Sequence, residues 1–221
     1  MTKIYCIFCA LDIEFQNIVK HYNVDYRMQI GDKWQVAHCD KGKYLIVKSD
    51  IGKRSAEQCA EFIISRYREI SFVVSAGLAG AISPVLEIGD IVIGNKIIDY
   101  SEDKRPQELT PINKKLVAIQ GESVHIGKVI CNDGIINDKV KKKALFEEHG
   151  ALCVEMESAG VIMVCNKSNI PFAAVKVVSD HADGRAMISM MRTQHHVTET
   201  LGQFLTQEDH IQKITGESFS E

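Results

Sequence analysis

The chain has 221 residues, 45% of them apolar and 25% charged, with a formal net charge of −3. These values fit a globular protein of one large domain or two small ones. They exclude a basic nucleic-acid-binding surface, and no apolar run reaches the roughly 18 residues needed to span a bilayer.

Lys3–Leu11 is a continuous apolar run, which predicts a central strand covered on both faces. Acids follow it at once and it lacks a small-residue cleavage site, so it reads as a first strand and not a signal peptide. Cys6 and Cys9 form a C-x-x-C inside this run. A redox motif of that kind sits at a helix start, so these two read, with the other five of seven cysteines, as reduced core thiols of a cytoplasmic protein. Asp12 is predicted to cap a helix carrying Ile13, Phe15, Ile18 and Val19. Trp34–His38 and Tyr44–Lys48 read as two strands joined by the hairpin signal DKGK. SDIGK (49–53) is a turn, and Ser55–Tyr67 a helix with Ala56, Cys59, Phe62, Ile63 and Tyr67 on one side. Phe72–Ser75 is a short buried strand entering AGLAGA (76–81), read as a small-residue loop, and a strand follows within Gly89–Ile98.

The polar stretch SEDKRPQELT (101–110) reads as a loop or short excursion. Val124–Cys131 is a strand, Lys139–His149 a charged helix, and Leu152–Met156 strand-like before a buried helix at Ser158–Asn166. Pro171–Ser179 is the last strong strand and Ser189–Leu205 the last helix. The expected division is one domain over residues 1–207 and a polar tail over 208–221. Alternation of apolar strands with helices argues a mostly parallel α/β sheet.

Three acids lie where buried strands end: Glu14 after the first strand, Glu157 before the buried helix, and Asp180 after PFAAVKVVS. Ligands of open α/β sheets bind near the carboxyl ends of strands. Taken singly, each acid is equally a helix-start or capping residue. Taken together, with Glu155 also inside an apolar stretch, they predict one pocket. Such a trio suits cleavage at a sugar carbon, where an oxocarbenium-like transition state attracts carboxylates. One acid protonates the leaving group and another activates water. Burial raises a carboxyl pKa and lets the acid keep its proton near neutral pH.

ALDIEF (10–15), SDIGK (49–53), AGLAGAISPVLEIGDIVI (76–93), VEMES (154–158) and VVSDHAD (177–183) resemble, in order, the motifs of the nucleoside phosphorylase/hydrolase superfamily. Within it, the pattern is most similar to the 5′-methylthioadenosine/S-adenosylhomocysteine nucleosidase family. The resemblance implies a single α/β domain with a twisted mixed β-sheet flanked by helices, a homodimer, a small-molecule nucleoside as partner, and no cofactor. It also implies roles. Glu14 orients the attacking water, Glu157 holds the ribose hydroxyls, and Asp180 protonates or shares a proton with purine N7, steadied by Ser179. Met156 packs under the ribose and Glu155 faces the pocket less directly. Ile136 meets the base through its backbone with Ile135 alongside. Ala10, Leu11 and Ile51 line the sugar side with Ala79 and Gly80.

The chain departs from the family in places. Where phosphorylases place a loop arginine and a loop hydroxyl, it has Ser75 and Leu78. Phosphate needs charge-assisted donors, so water is the expected nucleophile. Ile135 stands where the nucleosidases place an aromatic residue, and 97–110 is shorter and more polar than their segment. SAGLAGAI and SEDKRP are similar to the hopanoid-associated branch. The alternatives are a phosphorylase using Arg54 or Lys53, a hydrolase of a bulkier 5′-substituted nucleoside (futalosine or adenosylhopane type), and a non-catalytic nucleoside binder. His181, His195 and His196 lack metal-ligand spacing, and MISMM (187–191) reads as core or pocket lid.

Overall fold

The computed structural model describes residues 3–101, 104–112, 121, 123–207, 210, 213 and 214. The expected tail, 208–221, therefore lies outside the described residues except at His210, Lys213 and Ile214. The elements run β1 (Ile4–Cys9), α1 (Asp12–Val19), β2 (Val24–Ile30), β3 (Trp34–Cys39), β4 (Tyr44–Lys48), α2 (Lys53–Arg66), β5 (Ile70–Ala81), β6 (Ile91–Ser101), β7 (Lys104–Leu109), β8 (Val124–Cys131), α3 (Lys139–His149), β9 (Cys153–Glu155), α4 (Ser158–Lys167), β10 (Phe172–Asp180) and α5 (Ala186–Thr206).

The strands form one mixed sheet in the order β10-β6-β8-β9-β5-β1-β4-β3-β2, with β7 beside β6. β10 also pairs with β5, which closes β5, β9, β8, β6 and β10 into a ring. Five of the strand pairings are antiparallel and five parallel, so the mostly parallel sheet expected from alternation is corrected. The hairpins β2–β3–β4 and β6–β7, and the short return of β9, supply the antiparallel half.

β1 shows why its sequence is apolar throughout. Cys6 and Phe8 face the core under α2 and α4, while Tyr5, Ile7 and Cys9 face the core under α1 and α5. Successive side chains of a strand alternate between faces, so Cys6 and Cys9 are buried in opposite cores and the C-x-x-C is not a paired dithiol. A third cluster, including Ile98, Ile130, Ile136 and Val154, packs beneath Leu145 of α3.

Three further expectations change, and one strand was not expected. AGLAGA is not a loop: it is the second half of β5, hydrogen-bonded to β10 from Val73 to Gly80 and to β9 at Gly80 and Ala81. SEDKRPQELT contributes β7, an edge strand whose Lys104–Leu109 span pairs with β6; its polarity reflects an exposed face. β2, VDYRMQI, has the same explanation, since most of its residues are exposed. Phe62 is 40% exposed rather than on the buried side of α2, where it packs against Trp34 at 5.6 Å between ring centroids.

α2 and α4 cross closely because Gly160 has no side chain. A Cβ there would meet the Lys53 carbonyl oxygen and come 2.9 Å from the Glu57 amide nitrogen. Both obstacles are backbone, so neither can swing aside. Gly160→Ala should cost about 1–3 kcal/mol through overpacking, read as a lower urea midpoint with unchanged slope.

Candidate active site

One cavity opens at the carboxyl ends of β1, β9 and β10. Every site residue expected from the sequence lines it: Ala10, Leu11, Glu14, Ile51, Ala79, Gly80, Ile135, Ile136, Glu155, Met156, Glu157, Ser179 and Asp180. Leu78, Gly134, Val154, Ala182, Ala186, Met187 and Met190 line it as well. Of these, Leu78 carries a family signal and Met187 and Met190 belong to MISMM; the others are small or apolar residues with no chemical mark.

Glu14 is the third residue of α1. The N-cap is Leu11, with extended backbone, and not Asp12, because the Glu14 carboxylate does the capping. Its Oε2 accepts from the amides of Ala10 and Leu11, both at 2.9 Å. Its Oε1 accepts from the Leu78 amide at 2.8 Å. α1 is thereby tied to the end of β1 and the middle of β5. Gly77 leaves the room: a Cβ there would sit 2.8 Å from Glu14 Oε1.

Glu157 is the N-cap residue of α4 and not the end of a strand, since β9 stops at Glu155. Its Oε1 accepts from the Gly52 amide at 2.8 Å. This bond crosses from β9–α4 to the SDIGK turn, where Asp50 and Gly52 take positive φ values of 76° and 96°. Asp180 ends β10. Its Oδ2 accepts from the Ser179 hydroxyl at 2.8 Å and its Oδ1 from the Ala182 amide at 2.8 Å. Gly80 makes space for it, because a Cβ would come within 2.9 Å of Asp180 Oδ1.

The side chain least visible in the sequence reading is Lys176, in the middle of β10. It is 1% exposed, and its Nζ lies 2.9 Å from Glu155 Oε2 and 3.2 Å from Ser75 Oγ. Ser158 joins the cluster through its hydroxyl, 3.0 Å from Glu155 Oε2 and 3.1 Å from Ser75 Oγ. The signal was present: one lysine in an otherwise apolar stretch, at a position whose period-2 neighbours Ala174 and Val178 face the core.

Electrostatics divides the acids. Burial pushes the Glu14 carboxyl up, although its backbone donors and the Lys176 charge oppose this. Burial, then the charge of Glu155, pushes Glu157 up to about 7. Burial also raises Asp180, against the hydrogen bonds from Ala182 and Ser179. Glu155 behaves differently: burial would raise it, but the Lys176 ammonium outweighs burial and holds it below the usual carboxylate range. The cavity thus holds three acids with raised affinity for protons beside one fixed anion. Among the described residues lining it, none is lysine, arginine or histidine. Lys53 is engaged with Asp99 at 2.6 Å and Asp133 at 3.2 Å, and Arg54 is exposed. The described residues contain no cluster of histidine, cysteine and acid side chains suited to a metal.

The family model described as the phosphorylase superfamily matches residues 4–207. A 5′-methylthioadenosine/S-adenosylhomocysteine nucleosidase of Buchnera aphidicola is 29% identical over 180 residues, 72% of this chain and 77% of that one. Among solved structures, a Helicobacter pylori enzyme of that same name, bound to butyl-thio-DADMe-Immucillin-A, superposes with a TM-score of 0.82 at 20% identity, covering 96% of this chain and 99% of the other. The futalosine hydrolase of Helicobacter pylori superposes with a TM-score of 0.80, also at 20% identity, over 93% of this chain and 96% of the other.

Glu157 carries a pH signature in stability. Its folded pKa of about 7 lies above the ordinary glutamate value, so the folded state holds the extra proton and its contribution is lost as pH rises from about 4.5 to 7. Glu157→Gln should therefore gain on the wild type between pH 5 and 8 by on the order of 2 kcal/mol. Urea unfolding of both proteins at the two pH values measures it.

Proposed function

As a member of the phosphorylase superfamily, the chain carries its cavity within a family fold, and we propose that this cavity hydrolyses the N-glycosidic bond of a purine nucleoside. The substrate is an adenosine derivative with a 5′ substituent, of the methylthioadenosine or adenosylhomocysteine class, and the product is free base. The observation that carries this reading is the convergence of Glu14, Glu157 and Asp180 on one cavity whose lining has no cationic side chain among the described residues.

The chemistry follows from the environments. As the bond to the base lengthens, electrons move onto the purine and positive charge grows on the ribose. Asp180, with a raised pKa and a hydroxyl partner in Ser179, donates to or shares a proton with purine N7. The Glu157 carboxylate, held by the Gly52 amide, accepts from the ribose hydroxyls and stabilises the cationic sugar; Met156 lies beneath it. Glu14, fixed by three backbone amides, orients a water and takes its proton as that water adds to the sugar carbon. The apolar lining from Ile135, Ile136, Ala79 and Gly80 receives the base, and Ala10, Leu11 and Ile51 flank the sugar.

Water rather than phosphate is the nucleophile. A phosphate would bring its negative charge beside Glu14, Glu155 and Glu157, and Lys176, the nearest interior cation, is already engaged by Glu155 and Ser75. A binder without catalysis has no use for three acids of raised pKa held by backbone donors. The enzyme acts as a homodimer of the cytoplasm, a reading supported by its similarity to the nucleosidases and by seven buried free cysteines. Among the described residues no helix is long and apolar enough to cross a membrane.

Asp180→Asn should lower base release by about 10²–10⁴-fold, the range of a lost general acid, with little change in thermal midpoint. Chromatography of methylthioadenosine incubations reads the rate. In the wild type, base should appear at the same rate with and without phosphate, with free sugar as co-product; dependence on phosphate would make the enzyme a phosphorylase.

A further inference from the structure

β10 ends at Asp180, and a bend beginning His181-Ala182-Asp183 joins it to α5. The peptide between His181 and Ala182 is held on both sides. Its N–H donates to Asp180 Oδ1 at 2.8 Å, and its carbonyl oxygen accepts from Lys142 Nζ of α3, also at 2.8 Å. A peptide unit is planar and rigid, so one stiff group joins the lysine to the acid. Ala182 takes a φ of 46° to present that N–H, a conformation disfavoured for a residue with a Cβ. Such strain persists only where neighbours hold it. Here Ala182 is buried in one apolar cluster with Leu145 of α3. Lys142 stands three residues before Leu145, on the same face of the helix, and reaches across to the bend.

Neighbouring lysines of α3 do not share this contact. Lys139 and Lys143 are exposed, and Lys143 turns to Glu147 of its own helix at 3.7 Å. Lys142 is half-buried. Burial lowers its pKa, opposed by the charges of Asp183 and Asp180, while Lys139 adds to the lowering. Asp180 is raised by burial and by Asp183, and lowered by its bonds from Ala182 and Ser179 and by His181. Glu14, Glu155 and Glu157 border the same cavity. A hydrogen-bond donor polarised by a second hydrogen bond behind it is a stronger donor, so Lys142 strengthens the bond from Ala182 to Asp180.

Resting on the hydrolytic reading above, we propose that Lys142 is a positioning residue of the reaction: through the His181–Ala182 peptide it aims the Asp180 carboxyl at the leaving base and strengthens the hydrogen bond that stabilises its carboxylate. Lys142 lies outside the cavity lining. When Asp180 passes its proton to purine N7, the polarised Ala182 N–H and the Ser179 hydroxyl receive the negative charge left on the carboxylate. Without Lys142 the peptide is free to turn, and Asp180 becomes a weaker and less well aligned acid.

The test compares wild type, Lys142→Met, Lys142→Arg and Lys143→Met. Thermal midpoints and pH profiles of kcat and KM are measured with methylthioadenosine. Lys142→Met should lose about tenfold in kcat at pH 7 with KM changed by about twofold or less, and its alkaline limb should move up by about half a pH unit. Lys142→Arg, which keeps the charge and the donor, should restore both. Lys143→Met, which removes a neighbouring charge without touching the bend, should match the wild type. A wild-type profile in Lys142→Met overturns the proposal. So does an equal loss in Lys143→Met, which would make the effect one of general charge, or a lower kcat with an unmoved limb and a lower thermal midpoint, which would make Lys142 merely structural. Lys142→Gln decides the matter on the same readouts if the methionine variant does not fold. A wild type that releases no base would overturn the hydrolytic reading instead. In that case the Asp180 carboxyl, followed by carbon-13 NMR without substrate and identified by its loss in Asp180→Asn, should still titrate at higher pH in Lys142→Met. An unchanged titration would overturn the role of Lys142.

Discussion

Four acids, Glu14, Glu155, Glu157 and Asp180, border one cavity, and such a collection is stable only if its charge is managed from within. The ion pair between Lys176 and Glu155 does this. It places one full positive charge on the core side of β10 and fixes one full negative charge beside it. Burial then acts on the remaining acids and raises their proton affinity. The result is a set of carboxyl groups of one chemical type with distinct assignments: a fixed anion, a group titrating near neutrality, and two acids poised by backbone and hydroxyl donors.

The sheet makes room for this arrangement. β5 runs without a break from Ile70 to Ala81 and is flanked by β1, β10 and β9 in turn. Its small residues are the reason acids from α1 and β10 can lie against it. Gly77 accommodates the Glu14 carboxyl and Gly80 that of Asp180. Ser75, on the α2/α4 side of the same strand, anchors the Lys176 network. One strand therefore contributes clearance at two positions and a hydroxyl at a third, and the closed ring of strands around it holds the acids in register.

Much of this was legible in the sequence, for physical reasons. The strand-end acids stood out because charge inside apolar runs is costly, and the two-sided burial of β1 showed as an unbroken apolar run, that of β10 as a run interrupted only by Lys176 before its polar end. What the sequence concealed falls into two kinds. Exposed edge strands such as β2 and β7 carry polar residues on their open face and lose the apolar signature. The AGLAGA half of β5 has the composition of a loop, but its glycines answer to neighbours distant in sequence, Glu14 and Asp180, that no local pattern reports. Lys176 was overlooked for a similar reason. A single lysine in an apolar strand gains meaning only once Glu155 and Ser75 are known to lie beside it.

The three acids assigned to the chemistry are gripped largely by main-chain amides: Ala10, Leu11 and Leu78 for Glu14, Gly52 for Glu157, and Ala182 for Asp180. A peptide N–H is present whatever side chain the residue bears, proline aside. Leu11, Leu78 and the cavity residues Ile51, Ile135 and Met187 can therefore vary in size and polarity without loosening the acids. Reactivity is written in the backbone and selectivity in the side chains around it. A fold organised this way lets natural selection, or a designer, retune which nucleoside is accepted while the bond-breaking apparatus is inherited unchanged.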